Sequence, residues 1–240
     1  MTRGFDRGIA RAEQLVERFS ESADLLRFYV QIARFQKSIV FEKTDVRTLT
    51  PFITALIELV ERSGPESLAR NARARISEEI LVKVWNGEEP DNEETRFLAR
   101  ALLQPFAEYL ASRGTPSLDG TGAVCPFCSS KPVVGVLRGE GDGGKRSLIC
   151  SLCATEWQYR RIVCPSCGEE DKEKLPVFTA SGIDHVRVEA CDTCGTYIKS
   201  VDLTRDGFAV PIVDELATVV LNLWASDHGY TKVETNLLGM

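Results

Sequence analysis

The chain has 240 residues, 43% of them hydrophobic, and a formal charge of −6 at neutral pH, so it can bury real cores and has little general attraction for phosphate backbones. No apolar run is long enough to span a bilayer, and residues 1–10 lack the apolar stretch of a signal peptide, so a cytoplasmic location without membrane insertion is expected. In that reducing compartment the eight cysteines point to metal ligands or redox groups ahead of structural disulfides.

Residues 1–112 contain no cysteine and read as an all-helical domain, with apolar residues returning at spacings of three and four. Leu25, Phe28, Tyr29 and Ile32 trace one face. Thr50 as N-cap and Pro51 at the first helical position open a second helix with a Phe52, Leu56 and Leu59 stripe, which Gly64-Pro65 ends. Leu68, Ala72, Ile76, Ile80 and Val84 predict a third helix. Asp91 and Glu94 form a capping box ahead of Phe97, Leu98, Ala101 and Leu102, and Pro105 is expected to bend or divide that helix. Such stripes report burial, not a cofactor-lining face.

Residues 113–122 have the Gly, Thr, Pro and Ser content of a linker. Beyond it, residues 123–206 read as a β module, with strand-like runs at 133–137, 147–149, 157–163 and 185–189. The glycine-rich stretch at 139–144 lacks the Gly-Lys-Ser/Thr ending of a phosphate loop and reads as a hairpin turn. Residues 207–240 supply a C-terminal helix and tail, with Leu216, Val219, Val220 and Leu223 on one side of the helix, set to pack on the helical domain or bridge the two parts.

All eight cysteines fall in four Cys-x-x-Cys pairs. Cys125 and Cys128 are followed after 21 residues by Cys150 and Cys153, and Cys164 and Cys167 after 23 by Cys191 and Cys194. The two sets repeat at offsets of 39 and 41 residues, as an internal duplication would. Two residues between cysteines permit a tight knuckle that turns both sulfurs toward one ion, and Ser129, Ala154, Gly168 and Gly195 after the second cysteines ease the turn. Sequential pairing predicts one four-sulfur site from Cys125, Cys128, Cys150 and Cys153 and another from Cys164, Cys167, Cys191 and Cys194. Interleaved pairing is the alternative, since only ten residues separate Cys153 from Cys164.

Tetrahedral sulfur suits zinc or iron alike, so two metal ions, iron or zinc, are expected in a tandem rubredoxin-like or zinc-ribbon-like module. Dithiol redox chemistry competes with metal but fits four matched pairs less well. His185 and His228 read as surface or internally satisfied residues because eight sulfurs already fill two four-coordinate ions. No nucleophile, acid or base stands at a catalytic spacing, and the fold class expected is α+β with no enzyme site.

The cysteine region resembles the FdhE family, the accessory proteins of formate dehydrogenase. The resemblance rests on Cys125-Pro-Phe-Cys-Ser-Ser-Lys-Pro, on Cys150-Ser-Leu-Cys-Ala-Thr-Glu-Trp-Gln-Tyr-Arg-Arg-Ile-Val-Cys164-Pro-Ser-Cys, on Glu189-Ala-Cys191-Asp-Thr-Cys-Gly-Thr-Tyr-Ile-Lys, and on the ending from Asp214-Glu-Leu-Ala through Gly229-Tyr230 to Asn236-Leu-Leu. It covers about the last 115 residues and reaches the N-terminal half loosely, through Arg27-Phe-Tyr-Val. Gln158 stands where many relatives carry histidine, so no role of that side chain carries over. The resemblance implies a cytoplasmic maturation factor that binds the catalytic subunit of a molybdenum- or tungsten-dependent formate dehydrogenase, through a cysteine region holding iron or zinc. Glu156, Trp157 and Arg161, inside the matching stretch, are candidate partner contacts, with packing beside the knuckle as the competing role of Trp157. A zinc-ribbon regulator that binds nucleic acid and a thiol oxidoreductase are the alternative functions; the negative charge disfavours the first.

Overall fold

The computed structural model describes residues 4–70, 72–115, 122–140 and 143–240. Most of the expected linker and the tip of the glycine-rich turn lie outside these residues. The architecture is mixed, with helices at both ends of the chain and one sheet between them.

Helix α1 (Phe5–Arg18) packs on α2 (Ala23–Ser38). The latter is buried on two sides: Leu26 and Val30 enter a core shared with the sheet, whereas Phe28 and Ile32 enter a core made by the helices that follow. α3 (Phe52–Ser63) ends at Gly64 as the sequence implies. Thr50 does not cap it, because that residue is already helical at the end of a 3₁₀ turn and its hydroxyl donates to Glu78 at 2.8 Å.

The single helix expected after Pro65 is three: α4 (Glu66–Ala69), α5 (Ala72–Arg75) and α6 (Glu78–Trp85). Ser77 forces the last restart, since its backbone is extended and its hydroxyl accepts the Ile80 N–H at 3.3 Å. Leu81 is then the buried residue, with Ile80 and Val84 only half-buried.

α7 (Glu93–Ala111) is capped by Asn92, which accepts from the Thr95 N–H at 2.9 Å, one residue beyond the expected Asp91. It runs on through Pro105 without dividing. Proline cannot supply an N–H to the Ala101 carbonyl, and buried Gln36 supplies one instead, at 2.9 Å from Nε2.

The sheet is built from two antiparallel three-stranded units. The first comprises β1 (Pro132–Glu140), β2 (Gly143–Cys150) and β3 (Glu156–Tyr159); the second comprises β4 (Val177–Thr179), β5 (Val186–Cys191) and β6 (Thr196–Asp202). Residues 160–163 leave the strand expected at 157–163 and lead into the next knuckle. Parallel pairing of β1 with β6 fuses the units into one sheet in the order β3-β2-β1-β6-β5-β4. Gly135 faces Ser200 across that joint, and a Cβ there would collide with the serine hydroxyl. Val134, Val136, Val186, Val188 and Val201 turn one face of the sheet toward Ala12, Leu15, Leu26 and Val30 of α1 and α2.

Beyond the sheet, the helix expected over 213–225 is broken into α8 (Pro211–Ala217) and α9 (Val219–Asp227), and a short β7 (Thr231–Lys232) then pairs with β6. The break follows from the way side chains take the last carbonyls of α8. Thr218 Oγ1 donates to Asp214 O at 2.9 Å, and buried Lys199 donates from Nζ to the carbonyls of Glu215 and Thr218. The break rotates the following turn, so Leu221 and Ala225 are buried while Leu223 is 62% exposed. α8 packs against α1 and β6, which bridges the helical and cysteine-rich parts.

Candidate metal centres

Three of the four knuckles sit where a strand begins or ends, and the third in chain order lies in the connection between the two units. The Cys125 and Cys128 knuckle leads into β1, and the Cys150 and Cys153 knuckle joins β2 to β3. In the second unit, Cys164 and Cys167 precede β4, and Cys191 and Cys194 join β5 to β6. Every residue following a second cysteine has left-handed backbone: Ser129 at φ 61°, Ala154 at 52°, Gly168 at 78° and Gly195 at 66°. That conformation closes the turn, with the Ser129, Gly168 and Gly195 N–H groups donating back to the carbonyls of Cys125, Cys164 and Cys191, and inside the turn backbone N–H groups fold over sulfur. Phe127 donates to Cys125 Sγ at 3.4 Å, Leu152 to Cys150 Sγ at 3.3 Å, and Ser166 to Cys164 Sγ at 3.4 Å.

The sulfurs gather in the sequential pairing. Cys125, Cys128, Cys150 and Cys153 lie within 4.8 Å of one another, as do Cys164, Cys167, Cys191 and Cys194. Sulfurs bonded at about 2.3 Å to one tetrahedral ion stand about 3.8 Å apart. The second set matches this, at 3.7 Å for Cys164 to Cys194 and for Cys167 to Cys191; the first is slightly tighter, with separations of 3.3 and 3.5 Å. The donor set therefore fits one four-coordinate ion in each unit, and every cysteine belongs to a set.

Thiols held this closely cannot ionise independently. Hydrogen bonds from Cys125, then Cys150 and Cys153, hold the Cys128 thiol far below its usual range, whereas Cys150, bonded to the same neighbours and buried, is pushed far above it. Burial pushes Cys191 up to about 12. A bound cation would relieve this conflict by favouring thiolate at all four positions.

The two sites differ in exposure. Cys125, Cys150 and Cys153 are buried and Cys128 half-buried, whereas Cys167 of the second set is exposed. The first set lies in a core with Leu148, Trp157 and Ile198, against Ala107 of α7. Thr155 and Thr196 place their hydroxyls 3.1 Å from Cys153 Sγ and Cys194 Sγ, so these threonines are equivalent in the two repeats. Trp157 is then matched by Ile198 on the same face, and Tyr197, whose place after the last cysteine suggests equivalence with Trp157, packs in the opposite core.

Trp157 is 5% exposed and donates from Nε1 to the Gly122 carbonyl at 3.0 Å, so its indole packs beside the first site. Glu156 is engaged at the surface by Arg138 at 3.0 Å. Arg161 is exposed at the rim of a groove beside the second site.

His228 is exposed and lies against the Trp224 carbonyl; His185 is buried 2.9 Å from Asp214. With Asp206, these last two form a third cluster of ligand-type atoms, but the positive charge there comes from Arg11, whose Nη2 reaches Asp214 at 2.5 Å and Asp206 at 2.6 Å. The neighbouring Glu215 is enclosed by Lys199 at 3.0 Å, Lys232 at 2.5 Å and Asn236 at 2.9 Å. Sequence reasoning missed this buried charge network. Its one local signal is Asp214-Glu215 inside an otherwise apolar helical stripe, and the partners of that pair come from remote segments.

Among the described residues, no helix is long and apolar enough to cross a membrane. A family model described as "FdhE, central domain" matches residues 124–161, and one described as "FdhE, C-terminal domain" matches residues 149–238. A protein named "Protein FdhE homolog" from Aquifex aeolicus is 30% identical over 265 aligned positions, covering 95% of this chain and 93% of the relative. A protein of the same name from Cronobacter sakazakii is 25% identical, covering 97% of this chain and 86% of its own. The crystal structure of the FdhE protein from Pseudomonas aeruginosa shares the fold, with a TM-score of 0.76 at 22% identity over 99% of this chain and 96% of that one. The likeness thus extends through the helical half as well as the cysteine-rich half, and the chain belongs to the FdhE family.

Proposed function

We propose that this protein is a cytoplasmic accessory factor for formate dehydrogenase maturation, which binds the catalytic subunit of a molybdenum- or tungsten-dependent enzyme. Family membership supports the association with formate dehydrogenase, and the metal geometry supports binding without turnover. The observation that carries the second point is the use of all eight cysteines in two compact four-sulfur sets. Cys125, Cys128, Cys150 and Cys153 would hold one ion of iron or zinc, and Cys164, Cys167, Cys191 and Cys194 another. A four-coordinate ion so held has no position left for substrate. The chemistry an ion would supply there is cross-linking, with the two cysteine knuckles of each unit tied together. The protein's own residues then present the surfaces between the units.

Anaerobic co-purification with the catalytic subunit, with metal measured on the same sample, tests the proposal. Stoichiometric retention of the subunit by protein carrying two ions is the expected result. Failure to retain the subunit from cells that make it would remove the accessory assignment.

A further inference from the structure

The helices cover one face of the sheet, and α7 covers the first unit on the other face. On that second face, beside the second cysteine set, lies a groove of about 510 Å³ to which, among the described residues, no α-helix contributes a lining residue. We propose that this groove is the docking site for an acidic, partly apolar, extended segment of the client's catalytic subunit. The proposal rests on the accessory function above and deepens it.

Three observations define the occupant. First, the groove presents aliphatic surface: Ile162 is 53% exposed and Val177 is 51% exposed. Two such side chains at one concave site are what an apolar partner residue needs. Second, the groove is cationic in a chain whose net charge is −6. Arg161 and Lys172 are exposed at it and form no ion pair among the described residues, while Arg146 and Arg187 share one carboxylate, Glu189, at 2.7 and 2.6 Å. Arg146 is buried, and among the described residues its Nε has no hydrogen-bond partner. Set against Glu189 and the net negative charge that an ion held by four thiolates would carry beside them, these four cations still leave a local positive excess, whose accessible part is Arg161 and Lys172, and that selects an acidic partner. Third, β4 is the end strand of the sheet, with β5 as its neighbour, so an extended chain can lie along it. The groove offers no exposed aromatic ring on which bases would stack, since Tyr197 is buried, and this favours peptide over single-stranded nucleic acid.

The test uses the intact metal-loaded protein and purified formate dehydrogenase catalytic subunit in a label-free binding assay. The variants are the double charge reversal Arg161→Glu with Lys172→Glu, the single change Ile162→Asp, and a control reversal at exposed Lys43 (Lys43→Glu). Metal content and circular dichroism verify that each variant is folded. The groove variants should bind about tenfold more weakly or worse, Lys43→Glu should match wild type, and the salt dependence of wild-type binding should shrink in the double variant. Groove variants that bind like wild type would overturn the groove while leaving the accessory function standing. A wild-type protein that does not bind the subunit would overturn both. A labelled single-stranded oligonucleotide that binds wild type and is released by the double reversal would replace the peptide with nucleic acid as the occupant.

Discussion

Arg100 of α7 donates from Nη2 to the carbonyl of Ser151 at 3.0 Å, inside the knuckle between Cys150 and Cys153. The same carbonyl accepts from Gln104 Nε2 at 2.8 Å, one helical turn on, while the Ser151 N–H donates to Lys131 O at 3.1 Å. The knuckle is thus clamped between the long helix and the entry to β1. Outer groups that fix metal ligands are commonly worth about tenfold to a hundredfold in affinity. Gln104→Ala should therefore weaken metal binding at the first site by roughly tenfold, with the second site unchanged. Competitive chelation of variants lacking either cysteine set measures each site alone; equal weakening of both would mean general destabilisation instead of a local clamp.

The difference in exposure predicts an order of metal loss. Attack by a chelator needs an accessible sulfur, and Cys167 is exposed while three of the four sulfurs in the first set are buried. Chelation followed by thiol labelling should proceed in two phases, the faster one belonging to Cys164, Cys167, Cys191 and Cys194. Mass spectrometry of the labelled cysteines assigns the phases. A faster phase at the first set would contradict the burial argument.

The left-handed residues give a paired prediction on stability. Side chains strain this conformation by about 1–2 kcal/mol, and glycine does not. A Cβ at Gly168 would meet nothing within 4 Å, so Gly168→Ala should lose only that backbone energy. Ala154→Gly, at φ 52°, should gain about 1 kcal/mol for the opposite reason. Denaturant titration of the metal-loaded proteins measures both changes. Shifts of the same sign in the two variants would show that space, not backbone, decides these positions.

Much of the cysteine region was legible because its chemistry is local. A knuckle needs two intervening residues and a permissive one after, and both requirements stand next to the cysteines in the sequence. Pairing of the two sets was legible from the repeat. The helical half was less so, for reasons that are also local but subtler: Ser77 breaks an apolar stripe by capping a new helix, and Asn92 takes the cap that the Asp91 and Glu94 pattern places one residue earlier, each through one hydrogen bond. Long-range compensation escaped altogether. Nothing near Pro105 announces that Gln36, 65 residues before Ala101, replaces the missing donor, nor that Lys199 ends α8. Of the two roles read for Trp157, its burial shows the packing one, because β3 turns the residue toward the first cysteine set.

Glu215 yields the last prediction. Burial alone would raise its pKa, but Lys199 and Lys232 outweigh that effect and hold it at about 2, against 4.5 for the free side chain. Because the folded state binds this proton more weakly than the unfolded state, the stabilisation is complete above pH 4.5 and is lost as the pH falls toward about 2. Its size is on the order of 3 kcal/mol. Glu215→Gln should be less stable than wild type by about 3 kcal/mol at neutral pH, because it removes the carboxylate that Lys232 pairs with and that offsets burial at Lys199, a group burial already pushes down to about 8. The gap between the two proteins should narrow as the medium is acidified from pH 4.5. Metal release at low pH affects both proteins alike and cancels in that difference, so a gap independent of pH would show that Glu215 acts by shape and hydrogen bonding, not by charge.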